Sequence, residues 1–206
     1  MSTTNNRIAD HPIDPMFIQR WSPRAFTGEQ LPERDLLTML EAARWAASSA
    51  NAQPWRFVYA RRETPHWEKF LNLLVPGNQA WAKHASALVI LLSKTHMRPP
   101  GSDKDVPSPT HSFDTGTASG YFALQAMKMG WHAHGMFGFD RERAFVELNV
   151  PQGYAVEAAY AVGRLGDPAT LPEALRAREQ PNQRLPLTEL AFEGSFGTSP
   201  SDDTKK

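Results

Sequence analysis

The chain has 206 residues, 41% of them hydrophobic, and its 22 basic and 22 acidic side chains balance. A chain of this length can bury roughly 70% of the surface that its unfolded state exposes, enough for one sizeable core. The balanced charge provides no net field to hold nucleic acid or an acidic membrane, so we expect a small-molecule partner instead. The sequence has no cysteine, which excludes disulfides, thiolate nucleophiles, iron-sulfur clusters and cysteinyl zinc sites. Any redox chemistry must therefore come from a bound cofactor.

Neither end of the chain is typical of a targeting or membrane segment. The N-terminal stretch MSTTNNRIADHPIDP lacks an apolar region, and no later window approaches the roughly 18 apolar residues of a membrane span. The last stretch, GSFGTSPSDDTKK, is small and polar, which is typical of a flexible tail. We expect a cytoplasmic protein with an N-terminal extension over residues 1–15, one domain over residues 16–193 and a tail over residues 194–206.

The first part of the chain predicts two helices. Asp14 can cap a short helix that Pro15 starts and that continues through Ile18. Pro32 opens a longer helix, which should end just before Ser48. Apolar side chains recur in it with the 3.6-residue helical period, at Leu36, Leu37, Leu40 and Ala43.

The middle of the chain predicts strands alternating with helices. Aromatic and β-branched side chains at residues 55–60 predict a strand, and Thr64 followed by Pro65 predicts a capped helix start. Residues 87–93, ALVILLS, form a continuous apolar run, which predicts a strand buried in the middle of a sheet. Residues 97–113 hold four prolines and predict a long surface loop, a candidate gate for substrate.

The second half begins with a predicted helix over residues 114–129, which Gly130 ends. Small residues on its first turns permit close packing against another helix. The segment WHAHGMFGF, residues 131–139, predicts a strand, and Asp140 then caps a helix that runs to residue 148. Residues 154–162 alternate as a strand does.

A last short helix is predicted over residues 171–179 and a last strand over residues 187–193. Strands interspersed with helices through uneven connections predict an α+β layered fold rather than regular βαβ units. No GxGxxG motif follows any predicted strand, so a Rossmann nucleotide site is not expected.

Polar side chains cluster in WAASSANAQPWRF, residues 45–57, where the second helix ends. Four short hydroxyl and amide side chains lie here: Ser48, Ser49, Asn51 and Gln53. They can hydrogen-bond a flat heteroaromatic ligand without carrying charge. The same residue types are common in loops and helix caps, so a purely structural role stays open.

A second cluster, Arg20, Ser22 and Arg24, alternates along the segment RWSPRAF. Two guanidinium groups and a hydroxyl could converge there on one phosphate, which arginine binds bidentately. The alternative is that these arginines lie at the surface and pair with carboxylates.

Two other kinds of site are disfavoured. His132 and His134 lie on one face of a predicted strand, but no third ligand of suitable spacing accompanies them, so a metal site is not expected. No GxSxG motif is present, so acyl transfer through a serine nucleophile is not supported.

Four motifs together resemble the FMN-dependent nitroreductase family: RWSPRAF, SSANAQPWRF, GMFGFD and NQRLPLTELAF, in that order. The resemblance spans about residues 16–193, and the joint spacing is far more specific than any single motif. It implies an α+β layered fold with a central, mostly antiparallel sheet flanked by helices, assembled as a homodimer.

The resemblance also implies roles for individual residues. Arg20, Ser22 and Arg24 match an element on the FMN phosphate and ribityl chain. Arg184 matches a C-terminal arginine on the phosphate, and Asn182 stands where some relatives have a second basic residue.

Two further motifs would meet the flavin ring. Ser48, Ser49 and Asn51, with Gln53 in the same motif, match a loop that reaches the flavin from the other subunit; position 47 is alanine where proline is usual. Met136, Phe137 and Gly138 match a segment whose backbone lies along the flavin N5 and O4 edge.

The implied activity is a ping-pong transfer of reducing equivalents from NAD(P)H through non-covalent FMN to a small oxidised acceptor such as a nitroaromatic or quinone. Because FMN carries that chemistry, no catalytic side chain is required of the protein. Three alternatives stay open: a flavin-binding protein with low turnover, a dehalogenating or flavin-fragmenting enzyme of the same fold, and an interaction domain without cofactor.

Overall fold

The structure, a computed structural model, describes residues 5–198. Residues 1–4 of the expected N-terminal extension and residues 199–206 of the expected tail lie outside the described residues. In the described part the strands are β1 (Trp55–Arg61), β2 (Ala87–Lys94), β3 (His96–Met97), β4 (Val106–Pro107), β5 (His132–Met136) and β6 (Tyr154–Gly163). The helices there are α1 (Pro15–Gln19), α2 (Glu33–Arg44), α3 (Trp67–Leu73), α4 (Pro76–Ala82), α5 (His111–Lys128), α6 (Arg141–Glu147) and α7 (Glu173–Arg176).

The centre of the fold is an antiparallel sheet of four strands in the order β1-β2-β6-β5. Strand β2 is buried along almost its whole length because helices cover both faces of the sheet. Leu88 and Ile90 face a core that includes α3 and α4, while Val89 and Leu91 face a core that includes α2 and α5. The predicted α+β layered fold, with its buried central strand, is confirmed.

Most predicted elements near the site are confirmed. The carboxylate of Asp14 accepts a hydrogen bond from the Met16 backbone N–H at 2.8 Å and caps α1. Asp140 caps α6 in the same way through the Arg143 N–H at 2.9 Å. Gly130, with a φ of 77°, follows the end of α5, a backbone conformation that glycine adopts without strain.

Several element boundaries were wrong. Thr64 does not cap α3, because its hydroxyl donates to the Arg61 carbonyl at 2.8 Å and closes a turn after β1, so the helix begins only at Trp67. In α2 the buried stripe includes Met39, whereas Leu37 is exposed. The stretch predicted as loop contains the β3–β4 hairpin, and α5 begins at His111. A gating role for this hairpin stays a prediction.

The C-terminal predictions needed the largest correction. The helix predicted over residues 171–179 is reduced to α7, which begins after Pro172. The strand predicted over residues 187–193 is a 3₁₀ turn, Leu187–Glu189. The N–H of Leu187 is bound by the Asp10 carboxylate at 2.7 Å instead of by a neighbouring strand. Across residues 5–198, no helix is long and apolar enough to cross a membrane.

Candidate functional site

Four of the predicted ligand-binding residues meet in one cleft of about 150 Å³, here called the arginine cleft. Its lining side chains are Arg7, Arg20, Trp21, Ser22, Arg24, His134, Arg178, Gln180, Asn182 and Arg184. No acidic side chain is among these described lining residues. The fold thus brings together Arg20, Ser22, Arg24 and Arg184, although 164 positions of sequence separate the first from the last. A cleft with this donor set suits a phosphate or another small anion.

A buried carboxylate holds the backbone of this cleft. Glu179 is 5% exposed, and its Oε1 accepts the N–H groups of Arg24 at 2.6 Å and Ala25 at 2.8 Å. Its Oε2 lies 3.8 Å from Arg24 Nη1. Glu179 therefore fixes the RWSPRAF segment and partly neutralises Arg24, which leaves the other cleft arginines available to an anion.

The charges in the cleft repel one another. Burial, and then the neighbouring Arg184, lower the pKa of Arg20. The pKa of Arg7 is lowered by burial and then by Arg184 and Arg20. Arginine stays protonated at neutral pH all the same. A bound anion would relieve this repulsion, so the phosphate of FMN fits the residues present.

His134 completes the cleft as a neutral side chain. Its Nδ1 lies 2.9 Å from the Pro23 carbonyl oxygen, to which the protonated Nδ1 donates a hydrogen bond. Burial lowers the pKa of His134 to about 4, and its ring packs 4.7 Å from that of Trp81, measured between centroids. Within residues 5–198 no three His, Asp or Glu side chains are grouped to hold a metal ion. The histidine therefore shapes the cleft without adding charge at neutral pH.

A second cleft, of about 290 Å³, adjoins the first and shares Arg20 and Ser22 with it; we call it the α5 cleft. Its other lining residues are Gly116, Ser119, Gly120, Ala123, Ala133, Gly135 and Tyr160. A Cβ atom at Gly135 would lie 3.1 Å from Tyr160 Cε1, so a side chain there would have to displace the tyrosine. Apart from the shared Arg20, the α5 cleft has no charged lining residue, so the two clefts together suit a ligand with an anionic end and a neutral body.

The predicted flavin-edge segment, Met136 to Gly138, directly follows Gly135 of the α5 cleft in sequence, and its residues differ in exposure. Met136 is buried, whereas Phe137 is 72% exposed. The Gly138 carbonyl accepts hydrogen bonds from Asn78 Nδ2 at 2.9 Å and from the Val75 N–H at 3.1 Å. A Cβ at Gly138 would lie 2.6 Å from Asn78 Nδ2, so a side chain there would displace the asparagine that binds the Gly138 carbonyl.

The serine-rich loop after α2 adopts an unusual backbone conformation. Residues Ser49–Asn51 form a 3₁₀ turn, and positive φ angles occur at Ala50 (49°), Asn51 (52°) and Gln53 (49°). Non-glycine residues rarely adopt this region, and strain of this kind persists only where the surroundings impose it. The loop is therefore a candidate functional segment on structural grounds as well as from its sequence.

Two hydrogen bonds impose this conformation. The Gln53 N–H donates to Ser48 Oγ at 3.0 Å within the loop. The Ser49 N–H donates to Oδ2 of Asp114, a 4% exposed carboxylate on α5, at 3.2 Å. Thr110 Oγ1 donates to the same oxygen at 2.9 Å.

The fold does not bring this loop to the arginine cleft. Ser48, Ser49 and Asn51 line neither the arginine cleft nor the α5 cleft of the same chain. Gln53 lines a separate groove between α2 and β1, beside Arg56. Met136, Phe137 and Gly138 also line neither cleft, so Arg20, Ser22, Arg24 and Arg184 are the predicted site residues that share the arginine cleft within one subunit.

Comparison with known proteins places the chain in a family. The model of the nitroreductase family matches residues 18–73. A solved structure described as an oxidoreductase containing FMN has 47% sequence identity and a TM-score of 0.91, and the match covers 97% of this chain and 100% of that one. The chain therefore belongs to the nitroreductase family, as its motifs predicted, and is an enzyme of that family.

Two curated relatives also match the chain. An uncharacterized 15.4 kDa protein of Mycolicibacterium smegmatis is 36% identical over 127 residues, which cover 61% of this chain and 81% of the relative. A protein of Rhodopseudomonas palustris (strain TIE-1), named as a candidate NADH dehydrogenase/NAD(P)H nitroreductase, is 25% identical over 154 residues. That match covers 68% of this chain and 76% of the relative.

Sequence reasoning missed several residues of the site, among them Arg7, Asp114, Arg178 and Glu179. Each lies outside the four motifs and reaches the site only through the fold. The one available signal was the density of basic residues near the C-terminal motif, where Arg178 and Arg184 are close in sequence.

Proposed function

We propose that this protein is an FMN-dependent oxidoreductase. The observation that carries the proposal is the convergence of five arginines in a cleft that adjoins an uncharged cleft through Arg20 and Ser22. This arrangement suits the phosphate and the neutral body of FMN. The similar structure described as an oxidoreductase containing FMN supports the same cofactor.

In this proposal Arg20, Arg24 and Arg184 bind the FMN phosphate. The Ser22 hydroxyl donates a hydrogen bond to the phosphate or to the ribityl chain. Guanidinium groups bind phosphate oxygens bidentately and stay charged, so they hold the cofactor across the physiological pH range. Met136, Phe137 and Gly138 would lie beside the flavin ring. Their contribution is orientation, because no acid or base of the protein is required for the redox step.

The chemistry that FMN supplies when bound is the transfer of reducing equivalents from NAD(P)H to a small oxidised acceptor, such as a nitroaromatic or quinone, in a ping-pong cycle. The name of the Rhodopseudomonas palustris relative supports NAD(P)H as the donor. Because NAD(P)H is an intracellular reductant, the location that we propose is the cytoplasm. The domain that we propose for this reaction spans residues 16–193, and Arg7 of the preceding extension lines its arginine cleft.

We further propose that the active unit is a homodimer whose flavin sites are shared. Ser48, Ser49 and Asn51 would then complete the site of the other subunit, which accounts for their absence from the arginine cleft of their own chain. Helix α5 offers a contact surface: Phe113 is 78% exposed, and Gly116 has no atom within 4 Å of an added Cβ. An exposed aromatic beside small residues favours close packing against another helix.

The cofactor proposal is tested by the absorbance spectrum of the purified protein. We expect a yellow protein that releases intact FMN on denaturation, because the chain has no cysteine for covalent attachment. Recovery of FAD or haem, or failure to bind FMN on reconstitution, would overturn the proposal.

The shared site is tested with a mixed dimer of two differently tagged variants, Arg20→Ala and Asn51→Gly. Glycine at position 51 removes the side chain but keeps the positive φ of 52° accessible. The mixed dimer should regain one intact site of two, and so exceed the activity of either parent. Activity no higher than the parents, or a monomer that retains FMN, would contradict shared sites.

A further inference from the structure

Arg7 is the side chain through which the N-terminal segment lines the arginine cleft. Its Nη1 donates to the carbonyl oxygens of Arg20 at 2.7 Å and Ile18 at 3.1 Å. Its Nε donates to the carbonyl oxygen of Asn182 at 2.7 Å. One guanidinium thus connects the two segments that carry the candidate phosphate ligands, and it lines the cleft itself.

These contacts use only part of the arginine. Three donated hydrogen bonds occupy Nε and Nη1, and Nη2 makes no hydrogen bond to any of residues 5–198. Arg7 also forms no ion pair within that part of the chain. A neutral donor would suffice to join backbone carbonyls, whereas Arg7 adds a positive charge to a cleft that already holds Arg20 and Arg184. Holding like charges close together in a half-buried cleft is unfavourable unless an anion binds between them.

We propose that Arg7 is a phosphate-binding residue of the FMN site, so that the N-terminal segment is part of that site. This inference rests on the proposed function. The carbonyl contacts fix the guanidinium before the ligand arrives, so its binding costs little side-chain entropy. The charge of Arg7 also lies next to Asn182, the uncharged position of the C-terminal motif. The N-terminal segment would thereby supply a positive charge next to position 182, where this chain has asparagine.

The test separates the phosphate from the rest of the cofactor. Dissociation constants are measured for FMN and for riboflavin, which lacks the phosphate, with wild type, Arg7→Gln and Arg7→Lys. We expect Arg7→Gln to weaken FMN binding about tenfold or more, the range for one charged hydrogen bond, and to leave riboflavin binding unchanged. Arg7→Lys keeps the charge but loses the two-pronged guanidinium geometry, so its FMN dissociation constant should lie between those of wild type and Arg7→Gln. Wild-type FMN binding should also weaken more steeply with added salt than that of Arg7→Gln.

Asn5→Ala is the matched control. Asn5 Nδ2 donates to the same Ile18 carbonyl at 2.9 Å, so this variant loosens the N-terminal segment without removing charge. It should bind FMN and riboflavin nearly as wild type does. A second readout is the rise in melting temperature of the apoprotein with inorganic phosphate, which should shrink in Arg7→Gln and persist in Asn5→Ala.

Two results would overturn the inference. Equal weakening of FMN and riboflavin in Arg7→Gln would show that Arg7 only holds the segments together. Unchanged FMN binding would show that its charge does not meet the phosphate. Failure of the wild-type protein to bind FMN is a different outcome, which would refute the proposed function itself and the inference with it.

Discussion

Oδ2 of Asp114 on α5 lies 3.2 Å from the backbone nitrogen of Ser49 and accepts its hydrogen bond. Asp114 is buried, and Thr110 binds the same oxygen, so the carboxylate is held in place before the loop meets it. The loop is thereby fixed to the helix whose exposed face we propose as the subunit contact. In the proposed dimer, Asp114 would therefore couple the position of the loop to the contact between the subunits.

Replacing Asp114 should loosen the loop and weaken cofactor binding. Asp114→Ala leaves the Ser49 N–H without its acceptor, which costs on the order of 1–3 kcal/mol. We expect the FMN dissociation constant to rise about tenfold, measured by fluorescence titration of the apoprotein. Asp114→Asn keeps one acceptor oxygen and should have a smaller effect. Thr110→Val, which removes only the other hydrogen bond, is the control; equal FMN affinity in Asp114→Ala and wild type would contradict this role.

Glycine substitutions two positions apart in the loop should have opposite effects on stability. Ala50 has a φ of 49°, whereas Ala52 has an ordinary helical φ of −67°. Ala50→Gly removes left-handed strain of roughly 1–2 kcal/mol and should keep or raise the free energy of unfolding. Ala52→Gly should lower it by roughly 0.5–1 kcal/mol through backbone entropy. Urea unfolding of both variants measures the difference, and a larger loss at Ala50 would show that this residue is not strained.

The two arginines of the first motif should respond differently to alanine. Arg20→Ala removes a charge that lies beside Arg7 and Arg184, so the apoprotein should be equally or slightly more stable. Arg24→Ala leaves buried Glu179 without its cation and should lower the free energy of unfolding by about 1–3 kcal/mol. Both should weaken FMN binding by on the order of 1.5–3 kcal/mol. Thermal melts and FMN titrations check the pair, and normal FMN affinity in both variants would place the phosphate elsewhere.

The sequence identified many residues of the site but not the contacts between them. Arg20, Ser22, Arg24 and Arg184 could be found because each belongs to a short sequence motif. The structure places all four in one cleft. Arg7, which meets Arg20 only through a backbone carbonyl, could not be found in this way. A contact of this kind leaves no periodic or spaced pattern in the chain.

The fold shows the same division. Strand β2 was predictable because an uninterrupted apolar run fits a strand covered on both faces. The turn at Leu187–Glu189 was not, because the N–H of Leu187 is bound by the carboxylate of the distant Asp10, a contact that the local sequence does not reveal. Local pattern decides an element only where the tertiary partners it needs are present.

His134 should make stability depend on pH. Its pKa is about 4 in the folded protein because of burial, against an ordinary value near 6.5. Between these values the unfolded chain binds a proton that the folded chain does not, so stability is present above about pH 6.5 and is lost as pH falls toward 4. His134→Gln should reduce the stability difference between about pH 7 and pH 5 by about 2 kcal/mol. Urea unfolding of the apoprotein measures this; the exposed His96→Gln is the control, and an unchanged difference in His134→Gln would contradict it.

The proposed activity is tested most directly by separating its two half-reactions. FMN-loaded protein is mixed anaerobically with NADH or NADPH, the nicotinamide is removed by gel filtration, and a quinone or nitroaromatic is added. We expect the absorbance of oxidised flavin to disappear in the first step and to return in the second, with no nicotinamide present. Absorbance that persists with both nicotinamides, or that returns only when donor and acceptor are present together, would contradict a ping-pong FMN oxidoreductase.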